Sequence, residues 1–191
     1  MSSFKGGGPE EVGAAVFLDR DGVVSVEGGE YVTHPDALRL LPGALEAIAH
    51  LTEAGWPVFL FTNQAGVGRG FLTLETLDAI HARLRAEIEA TGGALRGIYA
   101  CPHAPGEGCD CRKPRPGLLH CAAVEHALDL THCYVIGDTP RDIAAGNAVG
   151  CQTILVLTGH TNPYAPATFP PPQPDYVFAD LLAAAAWLCR E

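Results

Sequence analysis

Short unbroken apolar runs alternate along this chain with longer stretches in which apolar residues recur at helical spacing. Val12 to Leu18 is the first run. It is rich in β-formers and stops at the charged Asp19-Arg20-Asp21-Gly22, as a parallel strand buried on both faces does on entering a turn. Trp56 to Phe61 is the second. Between them Leu45, Ile48 and Leu51 share a helical face within Pro42 to Ala54, with proline at the start and Gly55 just past the end. Thr73 has the character of a helix cap; Leu77, Ile80, Leu84 and Ile88 follow on one face, and Gly92-Gly93 stop the helix before a strand at Gly97 to Ala100. Pro116 opens a third helix to about Leu128, and Cys133 to Ile136 reads as a strand. A helix from Pro140 to Val149 ends at Gly150, strands follow at Gln152 to Leu157 and Tyr176 to Phe178, and Leu181 to Cys189 closes the chain as a helix. This alternation predicts a doubly wound α/β fold with a mainly parallel sheet and right-handed crossovers.

The length of 191 residues fits one domain, placed at residues 13–191 behind a Gly-rich polar tail, Met1 to Val12. That tail lacks the pattern of a secretory signal, and no apolar stretch reaches the ~20 residues a bilayer span needs, so a cytoplasmic, non-membrane monomer is expected. Tyr164 to Pro174, dense in proline, reads as an extended surface loop. The net charge of −10 argues against nucleic acid or an anionic membrane as partner, since both reward broad basic patches. An anionic substrate must then be met locally. The only lysines are Lys5 and Lys113, and Lys113 lies in Cys111-Arg112-Lys113-Pro114-Arg115-Pro116, the obvious anion site.

Ligands of such sheets sit beyond the carboxyl ends of the strands, where Asp19 and Asp21, Thr62 and Asn63, and Asp138 all fall. Three carboxylates converging on one sheet edge repel unless a hard cation such as Mg²⁺ lies among them; taken alone, Asp19 and Asp21 could equally cap a turn. A second constellation pairs Cys101 with His103 and Cys109 with Cys111 across five residues, Ala104 to Gly108. Three thiolates and an imidazole form a closed set suited to structural Zn²⁺, with a disulfide or plain packing as alternatives. Arg112 and Lys113 follow Cys111 directly, so a zinc there would peg the anion-binding residues.

The segments Val16 to Val23 (VFLDRDGV), Leu60 to Gln64 (LFTNQ), Arg112-Lys113-Pro114 and Val135 to Asp142 (VIGDTPRD) occur in that order. Together they resemble the four signature motifs of the haloacid dehalogenase superfamily of phosphotransferases. The resemblance implies that Asp19 is the nucleophile, that Asp21 protonates the leaving oxygen and then activates water, and that Mg²⁺ is held by the Asp19 carboxylate, the Asp21 backbone carbonyl and Asp138. It also implies that Asp142 orients metal-bound water or Lys113, and that Thr62, the Asn63 N–H and Lys113 grip the phosphoryl oxygens. The presence of an acid at Asp21, which the superfamily's dehalogenases lack, favours phosphoryl transfer.

Within the superfamily, Thr62 to Gly70 (TNQAGVGRG), Cys111 to Gly117 (CRKPRPG) and the Cys/His set look like the zinc-bearing phosphatases of heptose bisphosphates and of histidinol phosphate. The motif set implies a small phosphorylated sugar, a heptose bisphosphate first, with histidinol phosphate as the alternative; the short loop between the Cys/His pairs and Val24-Ser25 after Gly22 depart from the heptose pattern. A zinc-stapled binding module without catalysis is the reading from a different class. The segments after the first and second motifs are too short for a large cap domain, so specificity must come from loops. Gln64, Arg69 and Arg112 are the candidates for substrate contact.

Overall fold

A computed structural model describes residues 13–29, 31–159 and 170–190. The expected tail Met1 to Val12 and most of the proline-rich loop lie outside the described residues. Six strands form one sheet: β1 Val16–Leu18, β2 Val58–Asn63, β3 Gly97–Cys101, β4 Tyr134–Gly137, β5 Gln152–Val156 and β6 Tyr176–Phe178. The helices are α1 Ala44–Glu53, α2 Ala65–Gly68, α3 Leu74–Ala90, α4 Gly117–His126, α5 Pro140–Asn147 and α6 Leu181–Leu188. The spatial order is β3-β2-β1-β4-β5-β6, with every neighbouring pair parallel. The expected doubly wound parallel sheet is therefore present.

Strand alternation divides the core into two layers. Val16, Leu18, Val58, Leu60, Tyr134 and Ile136 join the layer that includes α1, α3 and α6, whereas Phe17, Phe59, Phe61 and Val135 join Leu118, Leu119 and Ala145 of α4 and α5. The register pairs like with like: Phe17 lies opposite both Phe59 and Val135. Phe17 stacks on Phe59 at 5.2 Å between centroids and meets Phe61 edge-on at 6.3 Å, contacts worth roughly 0.5–1.5 kcal/mol each beyond burial. Burial on both faces explains why these strands read as continuous apolar runs.

The sheet corrects the expected boundaries at its functional edge. β2 runs through Thr62 and Asn63, which were expected beyond the strand, because β3 also extends one residue, to Cys101, and pairs with Asn63. α4 stops at His126 instead of Leu128, with Ala127 turning left-handed at φ 52°. Among the described residues, the stretch between β1 and α1 holds a one-turn 3₁₀ helix at Pro35–Ala37 and two isolated bridges through Ser25, and the stretch between β2 and α3 holds α2. Among the described residues no cap domain stands over the sheet edge.

Candidate active site

β1 lies at the point where the strand order reverses, with β2 on one side and β4 on the other. The crevice beyond such a strand is where doubly wound sheets place their ligands. Asp19 is the first residue past β1, and its N–H donates to the Ile136 carbonyl at 3.0 Å, holding it against β4. Asp138 follows β4 and is fully buried. Asp142 sits in the first turn of α5, where its Oδ2 accepts from the Thr139 N–H at 3.0 Å and the Thr139 hydroxyl at 2.6 Å. One oxygen from each of Asp19, Asp138 and Asp142 lies within 4.8 Å of the others.

Lys113 arrives from the loop after β3 and is 3% exposed. Its ammonium reaches Asp19 Oδ1 at 2.9 Å, Asp142 Oδ1 at 2.6 Å and the Phe61 carbonyl at 3.0 Å, and stands 4.2 Å from the Phe61 ring centroid. Burial alone favours the neutral amine, but Asp142 and Asp19 outweigh it and raise the Lys113 pKa. The lysine is cationic, as the anion-site reading requires. Asn63 holds its main chain from the other side: Oδ1 accepts from the Lys113 N–H at 3.0 Å and Nδ2 donates to the Lys113 carbonyl at 3.2 Å.

Burial, opposed by Lys113 and reinforced by Asp142 and Asp21, raises the Asp19 pKa to about 7. Asp21 goes the other way. Burial pushes it up, yet the Arg20 charge and hydrogen bonds from Arg20, Gln64 and Ser25 outweigh that and lower its pKa. Its carboxylate accepts from Arg20 Nε at 2.9 Å, an Arg20 terminal nitrogen at 2.8 Å, Ser25 Oγ at 2.9 Å and Gln64 Nε2 at 2.8 Å.

That network takes in Gln64 and adds residues the sequence reading missed. Gln64, expected at the substrate, is 4% exposed and directs its amide inward, with Oε1 on Arg20 and Nε2 on Asp21 and Thr62. Arg20 is 1% exposed and also meets His81 Nε2 at 3.4 Å. Burial and the Arg20 charge lower the His81 pKa to about 4, so the imidazole is neutral. A histidine on the otherwise apolar face of α3 was a legible signal; Ser25 stood out only as a departure from the heptose pattern, with no role attached. Gly22 completes the turn at φ 86°, and a Cβ there would run into the Asp138 carboxylate. Only glycine lets the backbone pass this close to Asp138.

Three carboxylates thus cluster in a buried pocket, with the Lys113 ammonium against Asp19 and Asp142. Clustered carboxylate oxygens are ligands of the type Mg²⁺ takes, and a divalent hard cation relieves their mutual repulsion, so the residues fit the ion. The Cys/His cluster also assembles. Cys101 Sγ lies 3.6 Å from both His103 Nδ1 and Cys109 Sγ, and His103 Nδ1 lies 3.2 Å from Cys111 Sγ. Sulfurs in a disulfide stand about 2 Å apart, whereas ligands at the corners of a zinc tetrahedron, with bonds of about 2.3 Å, stand roughly 3.8 Å apart. Burial, then the neighbouring Cys101 and Cys109, push the Cys111 thiol up to about 12. Thiols so crowded need a soft cation to ionise together, and the cluster could hold zinc.

The two candidate arginines line different cavities. Arg112 lines it beside Asp19, Thr62, Asn63 and Lys113, and its NH1 donates to the His103 carbonyl at 3.3 Å. Arg69 lies outside it, in a flanking cavity with Glu27 and Tyr31, with its guanidinium 5.9 Å from the Tyr31 ring centroid.

Residues 110–184 match a family model described as HAD-hydrolase-like. The chain is 41% identical to the D-glycero-beta-D-manno-heptose-1,7-bisphosphate 7-phosphatase of Pseudomonas aeruginosa, over 92% of this chain and 97% of that one. It is 38% identical to the D-glycero-D-manno-heptose-1,7-bisphosphate 7-phosphatase of Thermosynechococcus vestitus, over 92% and 95%. The crystal structure of D,D-heptose 1,7-bisphosphate phosphatase from B. bronchiseptica, complexed with magnesium and phosphate, superposes with a TM-score of 0.86 at 39% identity, covering 94% of this chain and 99% of that one. Identity of this level across nearly the whole of each relative goes beyond a shared architecture: the chain belongs to the family of these phosphatases, among the haloacid dehalogenase-like hydrolases.

Proposed function

We propose that this phosphatase removes the 7-phosphate of D-glycero-D-manno-heptose 1,7-bisphosphate through an aspartyl-phosphate on Asp19. The observation that carries the mechanism is the buried Lys113 ammonium 2.9 Å from Asp19 and 2.6 Å from Asp142, at the wall of a cavity also lined by Asp21, Thr62, Asn63 and Arg112. The substrate is the one named for relatives that match this chain over nearly their whole length.

Asp19 attacks phosphorus, forming the acyl-phosphate bond as the bond to the leaving oxygen breaks, and Asp21 gives that oxygen a proton. Water then attacks the same phosphorus, losing its proton to Asp21, and phosphate departs as Asp19 is regenerated. The four hydrogen bonds on Asp21 suit its base half, since they favour the carboxylate. The acid half needs a proton, and the negative charge of an arriving phosphate favours one there. Lys113, Thr62 and the Asn63 N–H hold the phosphoryl oxygens, and Asp142 positions Lys113. The Asp19 and Asp138 carboxylates with the Asp21 backbone carbonyl would hold Mg²⁺, which supplies charge neutralisation for the phosphate. Cys101, His103, Cys109 and Cys111 would hold a structural Zn²⁺ that fixes the loop carrying Arg112 and Lys113.

Phosphate release by the purified protein with Mg²⁺, measured on heptose 1,7-bisphosphate and on histidinol phosphate, tests the reading. A higher kcat/KM on the bisphosphate is expected. The short loop between the Cys/His pairs favours the second reading, and faster turnover of histidinol phosphate would replace the first with it.

A further inference from the structure

Two cavities flank the catalytic one, and they differ in charge. The cavity on the Tyr31 side includes Asp21 and Glu27 in its lining, together with Arg20 and Arg69. The other, of about 440 Å³, lies against the Cys/His loop and has Arg112, Lys113, Arg115 and Arg141 in its lining and no carboxylate. It joins the catalytic cavity through Arg112, Lys113 and Arg141, which line both. In a chain of net charge −10 this is a concentrated positive surface, directly beside the nucleophile.

Its four cations are not equivalent. Lys113 is spent on Asp19, Asp142 and the Phe61 carbonyl. Arg115 donates to the carbonyls of Gly108 and Cys109, both at 2.6 Å, and so braces the Cys/His loop. Arg112 makes one long hydrogen bond, 3.3 Å, to the His103 carbonyl. Arg141, on the first turn of α5, makes no hydrogen bond or ion pair with any described residue and is exposed. A guanidinium left with all its donors at the junction of two cavities is a ready partner for an anion.

We infer that Arg141 is a specificity-determining residue that, together with Arg112, holds the second anionic group of a doubly phosphorylated substrate over the Cys/His loop. The inference rests on the proposed function in taking the substrate to be a bisphosphate. It places the far phosphate on the Arg141 side and leaves the Tyr31 side, with Glu27 and Arg69, to the neutral part of the molecule. Arg112 approaches from the loop after β3 and Arg141 from α5, so the two forks reach one anion from different elements. The pairing is invisible in sequence, where they stand 29 positions apart.

The test compares wild type, Arg141→Ala and Arg141→Lys, with Mg²⁺ and zinc bound, on heptose 1,7-bisphosphate, on heptose 7-phosphate and on other sugar bisphosphates. Arg141→Ala is expected to raise KM for the bisphosphate roughly tenfold more than KM for the monophosphate, the lower range for a charge-assisted hydrogen bond. The fall in kcat should be smaller than the rise in KM, and Arg141→Lys should recover part of the loss as a point charge without the fork. Equal changes on both substrates, or none on either, would overturn the inference while leaving the proposed function standing. If wild type prefers another sugar bisphosphate, and Arg141→Ala loses selectively on that one, the heptose reading falls and the role of Arg141 stands. Failure of wild type to hydrolyse any bisphosphate overturns both.

Discussion

In the proposed mechanism Asp19 attacks as a carboxylate at neutral pH, although burial and two neighbouring carboxylates oppose its ionisation and raise its pKa to about 7. Lys113 alone does not reverse this; a cation held by the same carboxylate would. Asp19→Asn should therefore cut turnover by more than about a hundredfold, or ~3 kcal/mol of barrier, and leave the fold intact, because the amide has the same shape and cannot attack phosphorus. Circular dichroism beside a phosphate assay separates loss of chemistry from loss of fold. The same shift sets a pH dependence in the metal-free protein. Between the ordinary value of 3.8 and about 7 the folded state holds a proton on Asp19 that the unfolded chain has released. Its contribution to stability is thus lost as pH rises through that window. Melting temperatures without Mg²⁺ should fall with rising pH more steeply for wild type than for Asp19→Asn. Parallel curves would mean that Asp19 is not the group responsible.

Two loops carry the site between the regular elements, and each depends on one local feature. The turn after β1 requires Gly22 at φ 86° against Asp138. Gly22→Ala should cost roughly 1–3 kcal/mol of stability from backbone strain alone and weaken Mg²⁺ binding by displacing Asp138; unchanged titration of Mg²⁺ would rule out that coupling. The loop after β3 depends on the Cys/His cluster at one end, and on Asn63, which grips the Lys113 main chain from β2. Cys109→Ser should lose about one zinc per chain by metal analysis. Because Asn63 still anchors Lys113, whereas Arg112 leans on the His103 carbonyl, KM should suffer more than kcat. A zinc-free variant with wild-type KM would remove the peg.

At the scale of the molecule, the proposed substrate is an anion and the protein is acidic, so charge distribution matters for its capture. The net charge of −10 disfavours phosphorylated molecules at long range, whereas Arg112, Arg115 and Arg141 gather in the cavity beside Lys113. Added salt screens both effects over about 8–10 Å, and a substrate with two phosphates engages those cations twice. The kcat/KM for a bisphosphate should accordingly fall more steeply between 50 and 300 mM salt, roughly one Debye regime to the next, than that for the matching monophosphate. Stopped assays across a salt series decide it, and equal slopes would place recognition in uncharged contacts.

Strand and helix identity, the parallel sheet and the four motifs were legible in the chain, because each depends on local periodicity or on residues within a few positions of one another. The Asp19-Arg20-Asp21-Gly22 turn and the Cys/His spacing carried their chemistry in the same way. Sequence could not show that β2 and β3 extend together to Asn63 and Cys101, since strand length is set by pairing across the sheet. Nor could it show where polar side chains spend their hydrogen bonds. Gln64 reads as a substrate ligand within its motif, yet it faces Arg20 and Asp21; His81, 60 residues beyond Asp21, joins the same buried network. Arg69 and Arg112 both read as substrate contacts, and only the packing of loops around the strand tips put them in different cavities. Local sequence determines which segments form elements and which residues have reactive chemistry. Which of those residues share an environment is a long-range property, decided when the two layers close on the sheet and each buried polar group must find a partner.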